Sequence, residues 1–196
     1  PLSGGIYILI SFLLLKYVFG IKIPDYLVFT ISLFFLLGYF SDTKPHFIPI
    51  LRLFLQLILI VILILLCDLH IDQSKIFFID KFLKYNLFNL LFTSICIIVL
   101  LNGSNFIDGV NTNLIGYCII VLFFLSKFEY PIDINFILLT LLTFYLFNSL
   151  GKCFLGDNGV YVLSILISYF VINIVNFNSI NPIFAINLLW YPAFEN

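Results

Sequence analysis

The sequence predicts an all-α fold, a polytopic transmembrane helical bundle, and its composition and its apolar runs carry that prediction. Of its 196 residues, 63% are hydrophobic and only 10% are charged, whereas a soluble domain is about half apolar and about a quarter charged. The mean hydropathy is +1.19. Apolar runs that approach the roughly 20 residues of a bilayer-spanning helix recur without an internal repeat or a linker. We therefore expect residues 1–196 to form one transmembrane domain.

The apolar runs predict about eight spans. Seven are placed as helices: Gly5–Phe19, Tyr26–Phe40, Phe47–Leu66, Tyr85–Leu101, Leu114–Ser126, Ile134–Leu150 and Gly159–Val175. An eighth run, Ile183–Trp190, continues toward the end of the chain. Turn chemistry separates several of them, with Ile-Pro-Asp at 23–25 and Tyr-Pro-Ile-Asp at 130–133. Because the chain begins at Pro1 and contains no Met, we expect a fragment of a larger bundle, truncated at both ends.

Alternating spans sort the connections onto two faces. The motif face receives Pro1–Gly4, Ser41–His46, Asn102–Asn113 and Gly151–Asn158. The opposite face receives Gly20–Asp25, Cys67–Lys84, Lys127–Asp133 and Phe177–Asn181. Within the second set, the amphipathic stretch Ile71–Tyr85 is expected to form an interfacial helix or a hairpin. Lysines are more numerous on the opposite face, so a literal positive-inside count would place the motif face outside.

Charge and cysteine content exclude several classes of function. The net charge is −1 and no basic run is present, so no nucleic-acid partner is expected. The four cysteines show neither CxxC nor Cys/His spacing, which argues against a zinc site and against a disulfide framework. The lipid bilayer is the expected partner.

The motif face concentrates the polar residues of the chain. Its densest segment, Asn102–Asn113, reads Asn-Gly-Ser-Asn-Phe-Ile-Asp-Gly-Val-Asn-Thr-Asn and lies between two apolar runs. Polar groups in or beside a bilayer are costly unless they are partnered or solvated, so such a cluster is a candidate functional site. The alternative is a solvated loop between helices.

Three carboxylates come together if the motif-face loops do: Asp42, Asp108 and Asp157. Carboxylates with amide oxygens and water are the ligands that Mg²⁺ takes, usually together with substrate phosphates. Gly156 lets the backbone approach a ligand closely, and Lys44 and Lys152 supply charge for a phosphate. The pattern indicates diphosphate chemistry at a membrane surface. For a single acid the alternative is a helix cap, and Asp42 or Asp157 would suit a neighbouring helix.

Four ordered motifs resemble those of the polyprenyl-phosphate N-acetylhexosamine-1-phosphate transferases. Residues 102–111 are similar to the family's Asn-x-x-Asn-x-x-Asp-Gly-x-Asp/Asn signature. Residues 1–5 are similar to its Pro-x-x-Gly-Gly motif, and residues 152–159 to its Phe-Met/Leu-Gly-Asp-x-Gly loop. Residues 41–45, followed by Arg52 and Gln56, resemble its Asp-Asp loop and the next helix, with Ser41 in place of the first acid.

The resemblance implies a catalytic domain with a defined reaction. A phosphate oxygen of undecaprenyl phosphate attacks the β-phosphorus of a UDP-N-acetylsugar and releases UMP, with Mg²⁺, or Mn²⁺ in its place, as cofactor. The product starts lipid-linked surface polysaccharide synthesis. The resemblance also places the protein in the bacterial inner membrane with the motif loops in the cytoplasm, where nucleotide sugars are found.

The resemblance also implies roles for individual residues. The expected catalytic acids are Asp42, Asp108 and Asp157, of which Asp157 and Asp42 are expected to bind the metal. The expected substrate-binding residues are Lys44, Asn102, Asn105, Asn111, Lys152 and Gly156. Asp108 and Asn111 match the pair that the family links to nucleotide contacts.

Two alternatives remain open. Ser41 and the missing ends would suit a non-catalytic relative of the family. Polar groups of broken helices would suit a polytopic transporter, although a transporter would place them inside spans rather than between spans.

Restoring an acid at Ser41 tests whether the missing carboxylate matters. A phosphate monoester has a second pKa of about 6, so the lipid nucleophile is already largely ionised at neutral pH and needs no base. Ser41→Asp is therefore expected to change the transfer rate only modestly. If the native chain is inactive and Ser41→Asp is active, the native chain is a non-catalytic relative of the family.

Overall fold

The computed structural model describes residues 4–44, 47–110, 112–177 and 180–194, and these are mostly helical with no strand among them. The helices are α1 Gly4–Tyr17, α2 Asp25–Thr43, α3 Pro49–Cys67, α4 Phe77–Leu83, α5 Asn86–Ile107, α6 Asn113–Leu125, α7 Ile134–Ser149, α8 Gly156–Phe177, α9 Pro182–Leu188 and α10 Trp190–Phe194. By length and hydropathy α2, α3, α5 and α8 are able to cross a membrane, and α1, α6 and α7 are shorter apolar helices. The predicted class, a helical membrane bundle, is confirmed.

The bundle is built around α8. Nearly all of its first sixteen residues are buried, because α1, α2, α5 and α6 pack against it. Small polar side chains are tolerated in this core since they bond within the helix: Ser164 Oγ donates to the Val160 carbonyl, and Ser168 Oγ donates to the Ser164 carbonyl, each at 2.8 Å. By contrast α3 buries only three of its apolar side chains, Ile60, Leu63 and Ile64. An apolar surface of this kind suits contact with lipid.

The connections gather on two faces as predicted, within the described residues. On the motif face the Gly4 amide donates to the Phe154 carbonyl at 3.0 Å. On the opposite face Asn176 Nδ2 donates to the His70 carbonyl at 2.6 Å, and the rings of Tyr130 and Phe177 meet edge to face. The stretch Ile71–Tyr85 is expected to be a helix or a hairpin, and its residues Phe77–Leu83 form the short helix α4.

The prediction that all of Asn102–Asn113 forms an interhelical loop is wrong. Residues 102–107 are the last turns of α5, and only 108–112 connect to α6. Gly103 and Ser104 have a weak helix propensity. Both are buried in the bundle, and this packing stabilises the helical conformation. Several polar residues of this segment thus lie inside a helix rather than between helices. Their position therefore does not distinguish an enzyme from a transporter.

Two more predicted boundaries differ from the structure. The run Ile183–Trp190 is divided between α9 and α10, and a seven-residue helix rises only about 10 Å, too little to span a bilayer. The helix α2 continues to Thr43 and α8 begins at Gly156. The motif residues at 41–42 and 156–158 are thus helix ends rather than loops.

Gly38 lets α2 and α8 touch backbone to backbone. A Cβ added there would overlap the backbone of Asn158. Gly38→Ala is therefore expected to lower the free energy of unfolding by about 1–3 kcal/mol, measured by denaturant unfolding in detergent micelles.

The matched control is Gly116→Ala in α6, where the added Cβ would lie 3.6 Å from the Tyr145 ring. Ordinary contact and better helix propensity predict an unchanged or slightly higher stability there. Equal stability of the two variants would contradict the close approach at Gly38.

Candidate active site

The carboxylate of Asp42 joins the end of α2 to the start of α8. Its Oδ1 accepts from the Asp157 amide at 2.9 Å. Its Oδ2 accepts from the Asn158 amide at 3.2 Å and from Asn158 Nδ2 at 2.7 Å. The first amides of a helix have no partner within the helix, and a side chain that accepts from them adds about 0.5–2 kcal/mol. Asp42 therefore caps a neighbouring helix.

The two oxygens of the Asp157 carboxylate differ in their described hydrogen-bond partners. Ser41 Oγ donates to Asp157 Oδ2 at 2.6 Å, and Arg52 Nη1 approaches the same oxygen at 3.4 Å. No described residue donates to Asp157 Oδ1. The Asp157 side chain as a whole is 25% exposed at the motif face.

A buried polar pair lies one turn deeper in the bundle. Gln56 follows Arg52 on α3 and Tyr161 follows Asp157 on α8, and both are almost completely buried. The Tyr161 hydroxyl lies close to Ser41 and Gln56. Neither this hydroxyl nor the Gln56 amide has a well-aligned hydrogen-bond partner among the described residues. The polar site thus continues beneath the Asp157 carboxylate.

Asp108 brings the third carboxylate to this region. It follows α5 directly, and its amide donates to the Ser104 carbonyl at 3.2 Å. Burial, together with the negative charges of Asp157 and Asp42, raises the pKa of Asp108 to about 7. Asp108 thus lies within reach of the charges of the other two acids. Among the described residues no donor or cation satisfies the Asp108 carboxylate.

The two lysines expected to bind substrate form no ion pair with the three acids among the described residues. Lys44 Nζ lies over the Phe40 ring, 5.4 Å from its centroid. Lys152 is exposed, and its amide donates to the Phe147 carbonyl at 3.1 Å. The structure does not bring either side chain to the carboxylates within the part of the chain that it describes.

The predicted amide and glycine positions are distributed along the helix ends. Asn102 Nδ2 donates to the Ile98 carbonyl of its own helix at 3.0 Å, and Asn105 is partly exposed near the end of α5. Gly156 begins α8 with φ +71°, a conformation that favours glycine. Asn111 lies outside the described residues, as do Pro1–Ser3 of the Pro-x-x-Gly-Gly motif.

Sequence reasoning missed Asn148, which ties two motif-face loops together. This side chain is buried. Its Oδ1 accepts from the Thr112 amide at 2.6 Å, and its Nδ2 donates to the Cys153 carbonyl at 2.7 Å. The connection after α5 is thereby fixed to the connection before α8. The available signal was a lone amide near the end of an apolar run.

The donor set fits a magnesium ion that is shared with substrate. Within the described ranges no group of three His, Cys, Asp or Glu residues has the geometry to hold a metal on its own. Mg²⁺, however, is usually held by one or two carboxylates plus substrate phosphates. Asp157 Oδ1 and the Asp108 carboxylate, to which none of the described residues donates, are groups of that kind.

The fold and the site define a multi-pass membrane protein with a carboxylate-rich face at its helix ends. The sequence profile of glycosyl transferase family 4 matches residues 25–175, and the chain belongs to this family. It is the family of phospho-N-acetylmuramoyl-pentapeptide transferase and related polyprenyl-phosphate hexosamine-1-phosphate transferases. The resemblance found in the motifs is thereby confirmed. No curated protein matches the chain.

Proposed function

We propose that this protein transfers an N-acetylhexosamine-1-phosphate from a UDP-sugar to undecaprenyl phosphate, releases UMP and starts lipid-linked surface polysaccharide synthesis. Membership of the family supports the general activity, a sugar-phosphate transferase that acts on a polyprenyl phosphate in a membrane. The observation that carries the proposal is the convergence of Asp42, Asp108 and Asp157 at one face of the bundle.

The proposed reaction is a direct displacement at the β-phosphorus. An ionised phosphate oxygen of the lipid forms the new P–O bond, and the bond to the bridging oxygen breaks. UMP departs with the electron pair of that bond. The nucleophile needs no general base because a phosphate monoester is largely ionised at neutral pH. Phosphoryl transfer depends chiefly on positioning and on neutralising charge, which is compatible with Ser41 in place of an acid.

Mg²⁺, or Mn²⁺ in its place, is the proposed cofactor. Asp157 would hold it through the oxygen that Ser41 and Arg52 leave free, with Asp108 as the adjoining carboxylate. When bound, the ion supplies positive charge to the diphosphate. Arg52, which is 30% exposed, adds a fixed positive charge at the same place. Asp42, the other predicted metal ligand, has both oxygens engaged by the start of α8.

The proposed orientation places the motif face in the cytoplasm of the bacterial inner membrane. Its support is the location of UDP-sugars. The distribution of lysines between the two faces favours the opposite orientation, but the counts on both faces are small.

Asp157→Asn tests the proposed function. Membranes that hold the full-length protein are incubated with labelled UDP-N-acetylglucosamine, undecaprenyl phosphate and Mg²⁺, and UMP and the lipid-linked sugar are measured. Because the asparagine keeps the size of the side chain but loses its charge, we expect a folded variant with transfer reduced by about 100-fold or more.

The matched control is Asp133→Asn on the opposite face. Asp133 caps α7 by accepting from the Asn135 amide at 2.9 Å, a role that asparagine also fills, so full transfer is expected. Wild-type turnover in Asp157→Asn would overturn the assignment of this residue. Absence of product with every UDP-N-acetylsugar would overturn the function.

A further inference from the structure

The start of α8 has no cap of its own. The residue before Gly156 is Leu155, a buried apolar side chain that has no acceptor. The amides of Asp157 and Asn158 belong to the first turn, where intrahelical acceptors are missing. The acceptors come instead from Asp42 on α2, one oxygen for each amide.

The surroundings of Asp42 hold this carboxylate in place. It lies one turn after Gly38, at which the backbones of α2 and α8 touch. The buried side chain of Asn158 donates a third hydrogen bond to it, at 2.7 Å. A carboxylate offers about four lone-pair sites, and three of those on Asp42 already accept from α8. Little acceptor capacity is left for a cation or a substrate.

From this geometry we infer that Asp42 is a positioning residue, which clamps the first turn of α8 and thereby fixes Asp157. The bond to the Asp157 amide sets the backbone from which the Asp157 side chain reaches Ser41 and Arg52. The clamp itself is independent of any reaction. Its consequence for cation binding and transfer at Asp157 rests on the proposed function.

Amide hydrogen exchange separates a clamp from a ligand. Exchange at residues 156–160 is measured by mass spectrometry on the detergent-solubilised protein, without divalent cation, UDP-sugar or lipid phosphate. Asp42→Ala removes the acceptors of two amides, so exchange there is expected to accelerate by about tenfold or more. Asp42→Asn keeps an acceptor oxygen, so its exchange should lie between those of wild type and Asp42→Ala.

Asp108→Asn is the matched control, because it removes a carboxylate of the same site that accepts no hydrogen bond from α8. Its exchange at residues 156–160 should equal that of wild type. Unchanged exchange in Asp42→Ala would overturn the inference. If Asp42→Ala does not fold, the intermediate exchange of Asp42→Asn supports the clamp and wild-type exchange in Asp42→Asn contradicts it.

Binding of Mn²⁺, followed by electron paramagnetic resonance, gives a second readout. A clamp predicts that Asp42→Asn weakens Mn²⁺ binding less than Asp157→Asn does. Equal loss in the two variants, with exchange as in wild type, would make Asp42 a ligand instead. Neither measurement requires turnover, so a failure of the proposed function and a failure of the clamp are distinguishable.

Discussion

The hydrogen bonds between Asp42 and the first turn of α8 are the interaction on which the site depends. They join the most deeply buried helix of the bundle to α2, at the point where Gly38 removes any side chain between the two backbones. A partly buried carboxylate is costly without partners, and here the free amides and the positive end of the helix dipole provide them. The same hydrogen bonds set the position of Asp157. They therefore contribute both to the packing of α2 on α8 and to the geometry of the polar face.

Charge balance explains how several acids coexist at the edge of a membrane. Asp42 accepts hydrogen bonds from the first amides of α8, and Asp157 accepts from Ser41 and lies beside the Arg52 cation. Burial, together with the negative charges of Asp157 and Asp42, raises the pKa of Asp108. A further carboxylate at position 41 would lie against Asp157 and add repulsion, whereas the serine hydroxyl donates to it at 2.6 Å. At position 41 this chain therefore has a hydrogen-bond donor where the family motif has a second negative charge. The missing acid is not needed as a base, because a phosphate nucleophile is already ionised.

The fold class and the order of the helices could be predicted from the sequence, because hydropathy alone separates lipid-facing or buried segments from their connections. The ends of the helices could not. Asn102–Ile107 remain helical because Gly103 and Ser104 pack inside the bundle, which local composition does not reveal. The acids of the site were predicted from their residue types and motifs. That Asp42 caps a helix more than a hundred residues away, and that Asn148 joins two loops, depends on tertiary contacts that no local pattern contains.

Iron-mediated cleavage of the backbone tests most directly whether one cation site unites the motif face. Fe²⁺ replaces Mg²⁺ in the folded protein with UDP present, ascorbate and peroxide are added, and the cut positions are mapped by mass spectrometry. A single cation site at Asp157 predicts cuts in three separate segments, 40–44, 105–110 and 155–159, which excess Mg²⁺ suppresses together and which Asp157→Asn abolishes. Cleavage confined to a single segment, or centred on Asp68, His70 and Asp72 of the opposite face, would contradict it.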